Sequence, residues 1–99
     1  MIGENLGGLP VINAQATGNN IDRLRAEYGL SPKDIQRVTG VSLQAVYRWL
    51  RGSNIPTIDN LVILASMLDV TVDDLLIVDT VYCLSMSFVG RKRNERLQV

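Results

Sequence analysis

Apolar residues recur with helical spacing in the middle of the chain, where two short helical patterns follow each other closely. The first begins after Ser31, a good N-cap, and has Pro32 at its first position, where a missing N–H group costs nothing. Gly40 can adopt the left-handed conformation that ends a helix. Ser42 can cap the second pattern, which ends at Gly52. We therefore predict two short helices joined by a tight turn.

The second of these helices has an apolar side and a polar side. Val46, Trp49 and Leu50 follow the i, i+3, i+4 spacing of a face that packs on a core, so we interpret Trp49 as a core residue rather than a base-stacking one. The opposite flank consists of Leu43, Gln44, Tyr47, Arg48 and Arg51. Two helices joined this closely cross steeply and leave this flank in solvent. Its amide, phenol and guanidinium groups suit a DNA major groove.

Three more helical patterns surround this pair. A helix is predicted over residues 17–28, with Thr17 opening it and Gly29 ending it. Thr57 can cap a helix with a broad apolar face that we expect to point inward. That face consists of Ile58, Leu61, Val62, Leu64, Ala65 and Leu68. Thr71 can cap a last short helix, with Asp74 at its third position. The pattern predicts an all-α fold of five helices.

The sequence on either side of these helices has no helical period. Residues 1–16 contain three glycines and a proline, and residues 9–13 within them can lie extended. In residues 79–89 apolar and small side chains alternate, which is typical of a strand. A lone strand is not stable, so it needs either residues 9–13 or the equivalent strand of a second subunit as its partner. We favour dimerisation through this extension.

These patterns divide the chain into four parts. Residues 1–16 are a flexible or extended N-terminal arm, and residues 17–78 form the helical domain. Residues 79–90 are a strand-like extension and a possible dimerisation element. Residues 91–99 are a basic tail, interpreted as a solvated segment with a non-specific role in holding DNA as the alternative.

The helical domain resembles a known family. The resemblance rests on the turn at residues 40–42, the Tyr-Arg-Trp-Leu-Arg-Gly run at residues 47–52, Pro56, and the apolar residues of the next two helices. Over residues 17–76 the chain is similar to the phage repressor and Cro-like (XRE-type) helix-turn-helix family, and to small bacterial transcriptional regulators within it. The resemblance implies a five-helix repressor-like domain, here with a short C-terminal strand-like extension. It also implies that the third helix, about residues 42–51, enters the major groove.

Each polar residue on the exposed flank has a role under this hypothesis. Gln44 can form paired hydrogen bonds with adenine, and Arg48 can bind guanine or a phosphate. Tyr47 can touch a thymine methyl group or donate to a phosphate, or it can be a partly buried packing residue. Arg51, near the helix end, is a phosphate contact. The alternative for Gln44 is an exposed helix-surface glutamine.

Three further residues complete the predicted DNA contacts. Ser53 and Asn54 follow the third helix and, with the adjoining amides, can hold a phosphate oxygen, as this loop does in the family. An ordinary polar loop is the alternative. Lys33 lies in the first turn of the first helix of the motif.

The chain departs from the family at three positions. Pro32 and Leu43 stand where many members have glutamine. Leu43 cannot hydrogen-bond to a base, although it can pack on a thymine methyl group. Leu50 replaces a residue that is usually polar, so we expect an apolar surface to cover it, and the C-terminal strand is a candidate. These departures leave the target sequence unpredictable.

The net charge of zero hides a polarised distribution. Residues 21–55 hold six Lys or Arg against three acids, whereas residues 56–80 hold five aspartates and no base. Residues 81–99 again carry a net charge of +3. The basic share therefore coincides with the two central helices and can orient them toward phosphate.

Several classes of function are excluded. The chain has no histidine and one cysteine, Cys83, so the usual Cys/His metal sites, histidine catalysis and an internal disulfide are absent. No nucleophile–base pair or phosphate loop is present, and we predict neither a cofactor nor an enzyme. No apolar run approaches the roughly 18 residues of a membrane span. With no secretory signal, we expect a cytoplasmic, nucleoid-associated protein.

Two functions compete. The leading hypothesis is a sequence-specific regulator of transcription that binds double-stranded DNA as a homodimer on a palindromic site. The alternative is a protein-interaction module, such as an antitoxin or accessory subunit, that uses the same fold to bind a protein partner. The neutral total charge and two expected exposed apolar residues, Leu43 and Leu50, favour the alternative.

Overall fold

The computed structural model describes residues 8–81. The elements in chain order are β1 (Leu9–Ile12), α1 (Ala14–Glu27), α2 (Pro32–Thr39), α3 (Leu43–Arg51), α4 (Ile58–Leu68), α5 (Val72–Leu75) and β2 (Val78–Val81). The five helices and the short strand extension confirm the predicted fold class. The helices form one compact unit, Asn13–Ile77, and the two strands belong to another. No helix within the described residues is long and apolar enough to cross a membrane.

Each helix begins at a side chain that accepts a hydrogen bond from a backbone N–H group of its first turn. The predicted caps Ser31, Ser42, Thr57 and Thr71 are confirmed. The prediction for α1 was wrong, because that helix begins at Ala14 and its cap is Asn13, whose Oδ1 accepts from Ala16 N at 2.9 Å. Asparagine is among the best N-caps, so Asn13 itself was a local indication of where α1 begins.

Thr17 has a different role from the predicted helix start. Its side chain is buried, and its hydroxyl accepts a hydrogen bond from Ile77 N at 2.9 Å. Three residues later, Asn20 Nδ2 donates to the carbonyl oxygens of Asp74 at 2.8 Å and Leu75 at 3.2 Å. One face of α1 therefore binds the backbone at the C-terminal end of the helical unit.

The core of the helical unit is apolar and draws on all five helices. Its buried members are Ile21, Ile35, Val46, Trp49, Leu50, Leu61, Leu64, Ala65, Leu68 and Leu75. Trp49, only 6% exposed, is confirmed as a core residue. Leu50 is 8% exposed, which confirms its predicted place on the apolar side of α3 and contradicts the expectation that it is an exposed apolar residue. Because Leu50 belongs to the core cluster, the helical unit itself covers it.

The predicted inward face of α4 is too broad. Leu61, Leu64, Ala65 and Leu68 are buried, but Ile58 and Val62 are 77% and 55% exposed. Ile58 is the first residue of the helix, and Val62 follows one turn later. Helical spacing puts both on a stripe beside the buried one, and composition alone does not show where burial stops.

The second unit contains an antiparallel pair of strands. The register places Leu9 opposite Val81, and Ile12 opposite Val78. Of the two predicted partners, the segment of the same chain is therefore the one that pairs with β2. The strand begins at Val78, one residue earlier than predicted. The rest of the predicted extension, residues 82–90, and the basic tail lie outside the described residues.

Candidate nucleic-acid interface

Helix α3 is fixed at both ends and along one side. Ser42 Oγ accepts from Ala45 N at 3.1 Å at the start, and Gly52, with φ +81°, ends the helix in the left-handed conformation. Val46, Trp49 and Leu50 anchor its inner side in the core. The backbone of α3 is thus held in one orientation by caps and packing together, which is what a surface that reads a rigid partner requires.

The predicted contact residues of α3 lie along its outer side. Gln44, Arg48 and Arg51 are exposed, as is Tyr47 at 43%, while Leu43 is half-buried. Positions three and four apart on a helix share a face, so these side chains form one continuous flank. Acidic residues are absent from α3. The flank presents hydrogen-bond donors and positive charge around an aromatic ring.

The loop after α3 offers side chains but not the adjoining amides. The N–H groups of Ser53 and Asn54 donate to the Arg48 carbonyl oxygen at 2.9 Å and 3.4 Å. Both amides already donate within the C-terminal cap of α3, so the predicted contact with a phosphate oxygen rests on the two side chains. Both side chains are exposed and free to point toward a ligand.

The cationic side chains divide into two groups. Arg23 pairs with Glu27 at 2.9 Å, Arg25 with Asp22 at 2.7 Å, and Arg37 with Asp34 on the same helix. Within residues 8–81, no ion pair involves the remaining three cations, which are Lys33, Arg48 and Arg51. All three belong to α2 or α3, and each was predicted to contact DNA. Their charge is therefore available to an external anion.

Lys33 lies on α2, apart from the α3 flank. It lines a shallow groove of about 490 Å³ together with Gln36, Arg37, Gly40 and Val41. The groove runs along α2 to the turn, and none of its lining residues comes from α3. Lys33 thus extends the positive surface to the first helix of the motif.

Two carboxylates of the helical unit, those of Asp34 and Asp74, cap helix N-termini. The pKa of the Asp34 carboxyl is lowered mainly by the backbone N–H of Ser31, then by the Ser31 hydroxyl, with Arg37 adding to the effect. The pKa of Asp74 is lowered in the same way by the N–H and hydroxyl of Thr71. Both carboxylates close capping boxes at helix N-termini. Within the described residues, no group of acidic or cysteine side chains is arranged to hold a metal ion.

Residues 21–75 match the helix-turn-helix family. The chain belongs to this family. The matched residues span more than half of the sequence and include α2, the turn and α3. The predicted resemblance is thereby confirmed. Among curated proteins, none matches the sequence.

Solved structures of regulators are similar to the chain. The restriction-modification controller protein C.AhdI from Aeromonas hydrophila shares 26% identity over 63% of this chain and 94% of its own, with a TM-score of 0.58. SinR, a master regulator for biofilm formation solved in complex with DNA, shares 28% identity over 60% of this chain and 95% of its own, with a TM-score of 0.54. The DNA-binding domain of BldD shares 25% identity over 66% of this chain and 94% of its own, with a TM-score of 0.56. The first of these proteins is described as a controller, the second as a master regulator and the third as a DNA-binding domain, in agreement with the predicted class of protein.

The structure adds Gly18 to the residues that position α3. A Cβ atom on Gly18 would lie 2.9 Å from the Leu50 carbonyl oxygen and even closer to that of Trp49. Nothing in the sequence singles out Gly18, because a glycine inside a helical pattern has no local mark of a close approach. The signal available in the sequence was only that glycine is costly within a helix and so needs a reason.

Proposed function

We propose that this protein is a sequence-specific, DNA-binding regulator of transcription that inserts α3 into the major groove. The observation that carries the proposal is the division of α3 into two sides. Val46, Trp49 and Leu50 are buried, while the outer flank is exposed, free of acids and supplied with two unpaired guanidinium groups. Membership of the helix-turn-helix family supports the same function.

In this proposal some residues contact DNA bases and others contact phosphates. Gln44 and Arg48, in the exposed first turns, read adenine and guanine through paired hydrogen bonds. Leu43 and Tyr47 lie beside thymine methyl groups. Contacts to phosphate come from Arg51, Ser53, Asn54 and Lys33, and these set the position of the helix rather than its sequence preference.

The protein acts as a homodimer on a palindromic site in this proposal. One helix of this length reads only a few base pairs, and a two-fold axis doubles the sequence that is read. The solved DNA complex of the similar regulator SinR supports DNA as the partner. We place the protein in the cytoplasm, associated with the nucleoid.

A protein-interaction module is the second candidate. Burial of Leu50 removes one of the two apolar residues on which this candidate rested. Exposed Ile58 and Val62, one turn apart on α4, now support it instead, because adjacent exposed apolar side chains are typical of a contact surface.

Selection from fragmented genomic DNA, followed by sequencing, tests the leading proposal. The wild-type protein is compared with a Gln44→Ala, Arg48→Ala variant, and with an Arg23→Ala, Glu27→Ala control that removes an exposed ion pair on α1. We expect one palindromic motif to be enriched by the wild type and the control and lost in the α3 variant. Absence of any enriched motif in the wild type would contradict the proposal and favour the protein-interaction module.

A further inference from the structure

The start of α1 lies against the C-terminal end of α3 within the helical unit. A Cβ atom on Gly52 would lie 3.0 Å from the Ala14 carbonyl oxygen, 2.8 Å from Gln15 N and even closer to Gln15 Cα. Glycine permits such a close approach because it has no side chain. The first turn of α1 and the end of α3 therefore form one continuous piece of surface.

Gln15 lies at the edge of this contact. Its backbone touches Gly52, yet the residue is exposed, so its side chain projects into solvent. Within residues 8–81, no hydrogen bond holds the Gln15 side chain. Its amide group carries two donor hydrogens, and both are available to an external acceptor.

Arg51 lies next to Gln15 on this surface. It directly precedes Gly52, and consecutive Cα atoms are only about 3.8 Å apart. Arg51 is exposed as well, and in the described part of the chain no ion pair involves its guanidinium group. The polar ends of the two side chains can therefore reach the same external group.

The local charge favours an anion as that group. Acids are absent from α3 and from the first turn of α1. The two acids farther along α1 are both paired, Asp22 with Arg25 and Glu27 with Arg23. Arginine and glutamine side chains are both common donors to the phosphate oxygens of DNA, and here no uncompensated acid of either helix opposes a phosphate.

We propose that the Gln15 side chain donates a hydrogen bond to the same DNA phosphate group as Arg51. This inference rests on the DNA binding of the proposed function and extends its contact surface from α2 and α3 to α1. The phosphate is then held by donors from two helices whose backbones are in direct contact. Because phosphate groups carry no base identity, Gln15 contributes affinity and not sequence preference.

Salt-dependent binding of the full-length protein to a duplex of arbitrary sequence tests this contact. Each phosphate that a cation neutralises steepens the slope of log K against log salt concentration by about 0.9. We expect Arg51→Ala to flatten the slope by this amount. Gln15→Lys added to Arg51→Ala should restore it, because the new ammonium group reaches the phosphate that Arg51 leaves. The matched control is Ser66→Lys added to Arg51→Ala, which places the same charge at an exposed position of α4 and should leave the slope flat.

A neutral substitution measures the contribution of the amide itself. Gln15→Ala removes the donor without changing the charge, so the slope should stay as in the wild type. We expect the affinity for the duplex to fall about threefold to tenfold, as for the loss of one hydrogen bond. Ser66→Ala is the matched control and should bind as tightly as the wild type.

Three results would overturn the contact. They are a Gln15→Ala variant that binds as tightly as the wild type, a slope that Gln15→Lys does not restore, and equal restoration by Ser66→Lys. Circular dichroism shows whether each variant is folded. The two Gln15 substitutions are independent, so if one of them unfolds the protein, the other decides.

The same measurements separate this contact from the proposed function. A slope restored by Gln15→Lys, with no motif enriched from genomic DNA, supports the contact and contradicts sequence-specific regulation. An enriched motif with a slope that is not restored contradicts the contact alone. A wild type that binds no duplex contradicts both.

Discussion

Gly18 of α1 and Gly52 at the end of α3 lie so close that neither position has room for a side chain. A Cβ atom on Gly18 would lie 3.0 Å from Gly52 N, and one on Gly52 would lie 2.8 Å from Gln15 N. Both distances are at or below the closest that real Cβ atoms approach other atoms. The first turns of α1 therefore support the C-terminal end of α3 and set its direction.

Substitution of Gly18 by alanine should destabilise the protein, although the same change usually stabilises a helix by about 1 kcal/mol. The added methyl group would meet the carbonyl oxygens of Trp49 and Leu50, which are backbone atoms and cannot rotate away. We expect a loss of roughly 2–3 kcal/mol in the free energy of unfolding, as for other overpacked sites. Urea unfolding measures it.

Gly29→Ala is the matched control for this substitution. The backbone at Gly29 has a φ of +77°, which residues with a side chain rarely adopt. No atom would lie within 4 Å of an added Cβ there, so only the backbone conformation opposes the substitution. We expect a loss of about 1 kcal/mol from the backbone conformation alone. A Gly18→Ala variant that is as stable as the wild type would show that α1 does not constrain α3.

Two carboxylates should make stability depend on pH in the acid range. The pKa of Asp34 and that of Asp74 are lowered in the folded state by the N–H and hydroxyl groups of their caps. A carboxyl whose folded pKa is depressed stabilises the protein above its unfolded pKa, and this contribution is lost as pH falls through the folded value. Stability should therefore be level at neutral pH and decline below about pH 4.

Thermal melting between neutral pH and about pH 2 measures this dependence. Asp34→Asn and Asp74→Asn should lower the melting temperature at neutral pH and flatten its decline in acid. If both variants kept the wild-type slope, the two capping boxes would not be its cause.

Replacement of Asp69 by glycine should stabilise the protein. Asp69 ends α4 with φ 57°, the only positive φ of a non-glycine residue in the described part of the chain. Glycine adopts this conformation without strain, and the change also removes a negative charge from the unfavourable end of a helix. We expect a gain of about 1 kcal/mol in the free energy of unfolding.

Ser66→Gly in the same helix is the control for Asp69→Gly. Ser66 is exposed and lies within α4, so glycine there should cost about 0.5–1 kcal/mol instead. If both variants lost stability, the claim that Asp69 is strained in the left-handed conformation would be refuted.

Much of the helical unit could be predicted from the sequence because its signals are local. Ser31, Ser42, Thr57 and Thr71 cap the helices as expected, since a cap depends only on a side chain and the next three amides. The i, i+3, i+4 spacing likewise identified the buried side of α3, and with it the outer flank.

Other features depend on which elements meet, and local patterns do not reveal them. The residues that flank Gly18 in the sequence do not indicate the carbonyl groups close to it. The sequence also does not distinguish exposed Ile58 from the buried apolar residues of α4. The coverage of Leu50 also comes from distant helices. The residues proposed to contact DNA are partly predictable. The structure shows their exposure, but the atoms that they contact depend on the DNA as well as on this chain.

The most direct test of the central claim is the ratio of affinities for the selected palindrome and for a scrambled duplex of equal length, at one salt concentration. It is measured for the wild type, Arg48→Ala and Arg23→Ala. We predict a large ratio in the wild type and in Arg23→Ala. In Arg48→Ala the binding free-energy difference between the two duplexes should shrink by about 1–3 kcal/mol, which is the contribution of a bidentate contact to a base. An equal ratio in all three proteins would contradict sequence reading by Arg48 on α3.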